Sequence, residues 1–184
     1  RLVGSEMCIR DRKAFVPAAG IPADDIIEGA AAALKKAKNP AILLGKNALR
    51  EVPLRSAGLI AEATGADLLC PNMVARVTQG AGRVPVKRVP YATPAAVDFL
   101  KDYDLLVLVG SKAPVGFFAY PNRPSALTPP AMHVVELAQP RHDLTASLQA
   151  LVTAVGADTA KEATTSALDL PDLPTGSITK EKLG

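Results

Sequence analysis

The sequence is poor in the residue types that several classes of function need. It has no Trp and only 4% aromatic residues, which disfavours a platform for stacking single-stranded nucleic acid. The formal charge of +3 is nearly balanced and predicts neither a nucleic-acid nor a membrane partner. No apolar run approaches the roughly 20 residues of a membrane helix. Two cysteines, Cys8 and Cys70, lie far apart, which predicts a reduced, cytoplasmic protein without a disulfide or a metal pair.

The usual catalytic motifs are also missing. The sequence contains no HExxH, CxxC, GxSxG or GxxxxGKS/T pattern. Its two histidines, His133 and His142, fall at a strand start and in a loop, where a structural or solvated role is expected. Glu136 lies within a predicted strand; we expect an edge position, and the alternative is the carboxylate that holds a ribose in dinucleotide folds. We therefore predict no catalytic residue and no metal ligand in this chain.

The chain does contain short apolar runs that alternate with amphipathic segments. The spacing of apolar residues predicts helices over residues 23–38, 54–64 and 144–155, and a further helix with Thr93 as its N-cap. The first helix is predicted to carry an apolar stripe of Ile26, Ala30, Ala33, Leu34 and Ala37, and the last a stripe of Leu144, Leu148, Leu151, Val152 and Val155. Unalternating apolar runs predict buried strands over residues 41–45, 66–70, 105–109 and 133–137, and residues 73–91 are predicted to be irregular. This order predicts an α/β fold: a three-layer, Rossmann-like domain with a parallel sheet and helices on both faces.

In such sheets, ligands bind beyond the carboxyl ends of the strands. Two strand–glycine turns, LLGKNAL and VLVGSKAPVG, would place backbone N–H groups and a lysine at this edge. Neither turn is a GxGxxG motif, so turn geometry is the expected role of their glycines. If a nucleotide binds, its predicted contacts are Gly45, Lys46, Gly82, Arg83, Gly110 and Ser111.

Two further stretches predict contacts with other molecules. Residues 68–97 contain no acidic residue but include Arg76, Arg83, Lys87 and Arg88; they form a solvated basic loop, a phosphate site or a docking surface for an acidic partner. The loop after the strand at 105–109 stays apolar over residues 115–120. We expect this loop to form an exposed apolar patch that packs against neighbouring protein rather than against a ligand.

Four stretches carry a resemblance to a known family: KNPAILLGKNAL, GAGRVPVKRVPY, VGSKAPVGFFAYPNRPS and LPTGSITKEKLG. From about Ala30 to Gly184 the chain resembles the central domain of thiamine diphosphate-dependent enzymes, in particular acetolactate synthase large-subunit-like and benzoylformate decarboxylase-like proteins. The resemblance implies a parent transferase or lyase that decarboxylates or ligates 2-oxo acids with thiamine diphosphate and Mg²⁺, commonly as a dimer or tetramer.

The resemblance also implies a domain organisation. Residues 1–12 resemble a translated sequencing-adapter artefact, residues 13–156 the central domain, and residues 157–184 a linker towards a diphosphate-binding domain. The family's pyrimidine-binding domain supplies a catalytic glutamate, and its diphosphate-binding domain carries a Gly-Asp-Gly motif that this sequence lacks. We expect this chain alone to be inactive and to need both domains as partners.

The resemblance bears on FAD as well, because some family members bind FAD in the central domain. Here GAGR stands in place of a Gly-Met-His-Gly-like turn, and SKAPVGFF in place of an Arg-containing step. These departures disfavour FAD. The alternative to a central domain is a free-standing Rossmann-like module that binds FAD, NAD or ADP.

Overall fold

The computed structural model describes residues 17–118, 121–170, 176 and 179. The segment predicted to be an adapter artefact, residues 1–12, lies outside the described residues, as does most of 171–184. The elements in chain order are α1 (Asp24–Lys36), β1 (Pro40–Leu44), a 3₁₀ turn (Lys46–Leu49), α2 (Glu51–Thr64), β2 (Asp67–Cys70), β3 (Lys87–Arg88), α3 (Thr93–Leu100), β4 (Leu105–Val109), β5 (His133–Ala138) and α4 (Leu144–Val155).

The five strands form one parallel sheet in the order β3-β2-β1-β4-β5. Every residue of β1 and β4 is buried, which is why these two strands show no apolar–polar alternation in the sequence. The strand order reverses between β1 and β4, so the crevice that ligands use in such folds lies beyond these two strands. The predicted α/β fold with a parallel sheet is confirmed.

Helices cover both faces of the sheet, but unevenly. The side chains of Ile42 and Leu44 pack with α1, α2 and α4 on one face, whereas Ala41 and Leu43 pack with α3 on the other. On that second face, Leu127 and Met132 from the β4–β5 connection are buried beside α3. Part of the apolar connection therefore covers the second face of the sheet together with α3.

Two details of the predicted helices are wrong. The spacing placed Ile26 on the buried stripe of α1, but Ile26 is 42% exposed and its neighbour Ile27 is buried. Helix α3 begins at Thr93 itself, so Ala92 is the N-cap and makes no side-chain hydrogen bond. The predicted stripe of α4 is confirmed, and its N-cap Asp143 accepts the N–H groups of Thr145 and Ala146, each at 3.0 Å.

The connection between β2 and β3 has no helix. It packs Val84 and Val86 into the core beside α2, and it ends in β3, a two-residue strand that the sequence pattern did not predict. In the part of the chain that the structure describes, no helix reaches the length and hydropathy that crossing a membrane requires.

Candidate functional site at the carboxyl edge of the sheet

The turns that follow β1 and β4 are in backbone contact. The N–H of Gly45 donates to the carbonyl of Val109 at 2.9 Å, and the N–H of Gly110 donates to the carbonyl of Ala138 at 2.7 Å. A Cβ atom on Gly45 would collide with the carbonyl oxygen of Gly110. Both N–H groups thus bond to neighbouring strands and are not free to bind a phosphate.

Gly110 has a second structural reason to be glycine. Its φ of 65° lies in the left-handed region, and a Cβ atom there would lie 2.5 Å from Cδ1 of Leu144. Close packing and turn geometry together account for the glycines at 45 and 110, in agreement with the role expected for them.

Three cationic side chains stand near this edge. Lys46, which has a positive φ of 52°, and Lys112 are exposed, and Ser111 Oγ donates to the carbonyl of Lys112 at 3.3 Å. Arg50, the N-cap of α2, has a buried Nη1 atom without a hydrogen-bond partner among the described residues. Arg50 could not be recognised from the sequence, because no motif surrounds it. Chemically, the edge can attract an anionic group.

The other two predicted contacts line a cleft to which Gly45, Lys46, Gly110 and Ser111 do not contribute. Gly82 and Arg83 line this cleft of about 440 Å³ beside α2, and the N–H of Gly82 donates to the carbonyl of Ser166 at 2.8 Å. Arg83 Nη1 forms an ion pair with Glu51 Oε1 at 2.8 Å. The structure therefore divides the six predicted contacts into an edge group and an α2 group, and nucleotide binding by them stays a prediction.

Three of the four cations of the basic segment bond to this chain itself, two of them to carboxylates. Besides the Arg83–Glu51 pair, Lys87 Nζ contacts Asp67 Oδ2 at 2.6 Å, and Arg88 Nη1 donates to the carbonyl of Asn72 at 2.8 Å. These contacts hold the β2–β3 connection to its neighbours. They support a structural role for three of the four cations.

Asp67 is the centre of a polar cluster at the opposite, amino edge of the sheet. The hydroxyl of Tyr103 and the ammonium of Lys87 each donate to Asp67 Oδ2 at 2.6 Å. Burial favours a higher pKa for Asp67, but these hydrogen bonds and the charge of Lys87 outweigh it and lower the pKa. Burial and the bond to Asp67 raise the pKa of Tyr103 far above its ordinary value.

The histidines and Glu136 have structural positions. His133 starts β5 at the amino edge and is exposed, whereas His142 Nδ1 accepts the N–H of Gln139 at 3.2 Å in the loop before α4. Glu136 lies on the edge strand β5, as expected, and accepts a hydrogen bond from Gln139 Nε2 at 2.6 Å. Within the described ranges, no three His, Cys, Asp or Glu residues are grouped as metal ligands.

An exposed aromatic cluster lies on the α3 side of the molecule. Phe117 and Phe118 are 60% and 53% exposed, and Val115 is 67% exposed. The rings of Phe117 and Phe118 meet edge to face with centroids 4.7 Å apart, and Tyr91 lies 6.2 Å from Phe117. The apolar patch expected from the loop sequence is confirmed for these residues; Ala119 and Tyr120 lie outside the described residues.

The sequence did not indicate how far this patch extends. A cleft of about 320 Å³ lies between the aromatic cluster and the start of α3, where Thr93 and Pro94 line it. A second cleft of about 680 Å³ shares Thr93, Pro94 and Arg123 and continues along α3 to Lys101. Together they make an open, mainly apolar surface beside α3.

Comparisons with known proteins agree with this architecture. No protein-family model matches the chain. Over 167 residues it is 37% identical to the "Putative acetolactate synthase large subunit IlvX" of Mycobacterium tuberculosis, a match that covers 88% of this chain and 32% of IlvX.

Two solved structures share the fold at 18% identity. A "putative thiamin diphosphate-dependent enzyme" from Mycobacterium smegmatis superposes with a TM-score of 0.61, over 84% of this chain and 32% of that chain. The thiamine diphosphate-dependent 4-hydroxybenzoylformate decarboxylase of Rhodococcus jostii RHA1 gives 0.60, over 91% and 33%. The chain is thus homologous to acetolactate synthase large-subunit-like proteins, of which it spans about a third, and it shares its fold with thiamine diphosphate-dependent enzymes.

Proposed function

We propose that this chain serves as the central domain of a thiamine diphosphate-dependent enzyme that acts on 2-oxo acids. The observation that carries the proposal is the 37% identity to IlvX, which spans 88% of this chain but only a third of the relative. The parallel five-stranded sheet supports it. We further propose a transferase or lyase activity in the cytoplasm, with Mg²⁺ as a second cofactor; these points rest on the resemblance alone.

The described residues do not fit a thiamine diphosphate–Mg²⁺ site. They contain no group of three potential metal ligands, and the whole sequence lacks Gly-Asp-Gly. The role left for this chain is to position the parts of the protein that hold the cofactor. In this account the chain supplies no catalytic residue.

The aromatic cluster is the proposed contact surface for those parts. Tyr91, Phe117 and Phe118 are each more than half exposed, although aromatic residues are scarce in the sequence. Three exposed rings, of which Phe117 contacts the other two, are typical of an interface, because exposed apolar surface is unfavourable in water. We propose that the pyrimidine- and diphosphate-binding domains of the same chain, in a dimer or tetramer, cover this surface.

The competing function is a free-standing nucleotide-binding module. It needs backbone N–H groups at the carboxyl edge to bind phosphate, and the N–H groups of Gly45 and Gly110 are bonded to Val109 and Ala138 instead. The geometry at the edge therefore favours the central-domain proposal.

Ligand titration of this chain separates the two functions. Thermal unfolding is followed with FAD, NAD, ADP or thiamine diphosphate plus Mg²⁺ at millimolar concentration. The proposal predicts an unchanged Tm with all four, because a ligand raises Tm only when it binds the folded state. A saturable rise in Tm with FAD, NAD or ADP would establish the alternative, and one with thiamine diphosphate would place a cofactor site within this chain.

A further inference from the structure

The segment that follows α4 does not leave the domain at once. Residues 158–166, here called the strap, lie along α2. The backbone N–H and the Oγ1 of Thr164 both donate to Glu62 Oε1, at 2.5 and 2.6 Å. Two residues later, the backbone of Ser166 accepts from the N–H of Gly82 at 2.8 Å and donates to the carbonyl of Arg83 at 2.9 Å. The strap is thus attached at two adjacent points, one on a helix and one on a loop.

The strap buries little apolar surface. Its residue Ala163 packs against Gly58 of α2: the Cβ of Ala163 lies 2.6 Å from the position that a Cβ on Gly58 would occupy. Apart from Ala163 and Ser166, its residues are exposed. A segment held mainly by exposed polar bonds opens at lower free energy than the core on which it lies. The strap is therefore expected to detach while the sheet and helices stay folded.

The second attachment point connects the strap to an ion-pair cluster. Arg83, whose carbonyl bonds to Ser166, also pairs through its guanidinium with Glu51 at the start of α2. Glu51 pairs in addition with Arg55 at 2.9 Å. The strap, Arg83 and this part of α2 together line the cleft of about 440 Å³. Movement of the strap must therefore change this cleft.

We propose that the strap is a detachable coupling element: the Glu62–Thr164 contact holds it, and its docking orders the Gly82–Arg83 loop. An interaction that detaches the chain at Ser166 therefore disorders the Arg83 loop. Conversely, an interaction that stabilises the loop favours the docked strap. This reciprocity follows because one docking equilibrium includes both contacts. The proposal does not depend on the proposed function, since it concerns contacts within this chain only.

Amide hydrogen exchange by NMR on the full 184-residue chain tests the coupling. Thr164→Val removes the hydroxyl bond to Glu62 at nearly constant volume. Thr165→Val is the matched control, because Thr165 lines the cleft, whereas both hydrogen bonds to Glu62 in the described part of the chain come from Thr164. We expect Thr164→Val to raise exchange about tenfold at the Ser166 amide and at the Arg83 amide, which donates to the carbonyl of Gly80 within the loop at 3.1 Å. Tenfold is the effect of losing one bond to a charged acceptor, and Leu151 in α4 should be unchanged.

Each other outcome overturns the proposal. Faster exchange at Ser166 but not at Arg83 would mean that the strap opens while the loop keeps its own order. An equal rise at Leu151 would mean global destabilisation, and no rise at all would mean that Thr164 does not hold the strap. If Thr164→Val fails to fold, Glu62→Gln provides the same test, with a smaller rise expected at the same two amides because the amide oxygen is a weaker acceptor.

Discussion

The carbonyl oxygen of Gly45 lies 2.9 Å from the position that a Cβ atom on Gly110 would occupy. The turns after the two central strands therefore touch through their backbones, at the point where the strand order reverses. In many folds of this class a nucleotide approaches the sheet at this crevice. Here the two turns lie so close that neither glycine has room for a side chain.

Gly110→Ala should destabilise the domain strongly. The substitution adds a Cβ at φ 65° and 2.5 Å from Leu144 Cδ1, so we expect a loss of about 3 kcal/mol in the free energy of unfolding measured with urea. Gly156→Ala is the control: φ is 74°, but nothing lies within 4 Å of its Cβ position, and the expected loss is about 1 kcal/mol. Equal losses for the two variants would contradict the close packing at the edge.

Tyr103 should resist ionisation in the native protein. Because its pKa is raised in the folded state, it stabilises the fold fully below the ordinary tyrosine pKa, and this contribution is lost as the pH rises further. In a spectrophotometric titration, we expect one of the three tyrosines to stay protonated until the protein unfolds. Tyr103→Phe should remove this resistant group and raise the pKa of Asp67, measured by NMR. A resistant tyrosine that persists in the variant would refute the assignment.

The domain should lose stability in acid through three carboxylates. Hydrogen bonds from the N–H groups of Lys38 and Asn39, at 2.8 and 3.0 Å, lower the pKa of Asp104. Hydrogen bonds from Thr164 lower the pKa of Glu62. Hydrogen bonds from Lys87 and Tyr103 lower the pKa of Asp67. A lowered native pKa adds stability above the ordinary carboxyl value of about 4, and this stability disappears as the pH falls through the native pKa.

The measurement is the urea midpoint as a function of pH. We expect the midpoint to fall below about pH 4, and Asp104→Asn to make the fall shallower than in the wild type. Asp25→Asn is the comparison, because the bond between Asp25 Oδ1 and the N–H of Ile26 at the start of α1 joins only sequence neighbours. A pH profile that Asp104→Asn leaves unchanged would show that the hydrogen bonds of Asp104 with Lys38 and Asn39 do not contribute to acid sensitivity.

Removing the aromatic cluster should not harm this chain by itself. Phe117→Ser with Phe118→Ser changes two side chains that are more than half exposed, so we expect a change within about 0.5 kcal/mol per site. Leu148→Ala in the core should cost about 3 kcal/mol in the same urea assay. A large destabilisation by the serine pair would mean that the rings support the fold of this chain instead of an interface.

The sequence predicted the elements whose apolar residues form an unbroken run or a regular helical stripe. β1 and β4 are buried on both faces, so their apolar runs are unbroken, and their length of five residues favours strands over helices. Leu148 and Leu151 of α4 repeat at helical spacing. Two adjacent isoleucines in α1 both fitted the helical spacing, and only packing against the sheet shows that Ile27 is the buried one.

The sequence could not predict features that depend on contacts between distant residues. β3 is two exposed residues, Lys87 and Arg88, which become a strand only because β2 offers an unpaired edge. Strap docking depends on Thr164 meeting Glu62, 102 positions away. Similarly, Tyr91 joins the aromatic cluster through the fold of two separate loops.

The most direct test of the central-domain account is a chimera in which this chain replaces the third of IlvX that it matches. Calorimetry would measure the binding of thiamine diphosphate with Mg²⁺ to IlvX itself, to the chimera, to the same chimera carrying Phe117→Ser and Phe118→Ser, and to this chain alone. The account predicts saturable binding by the chimera, weaker binding by the serine variant, and none by the isolated chain. A folded chimera that does not bind the cofactor although IlvX does, or an isolated chain that binds it, would contradict the account.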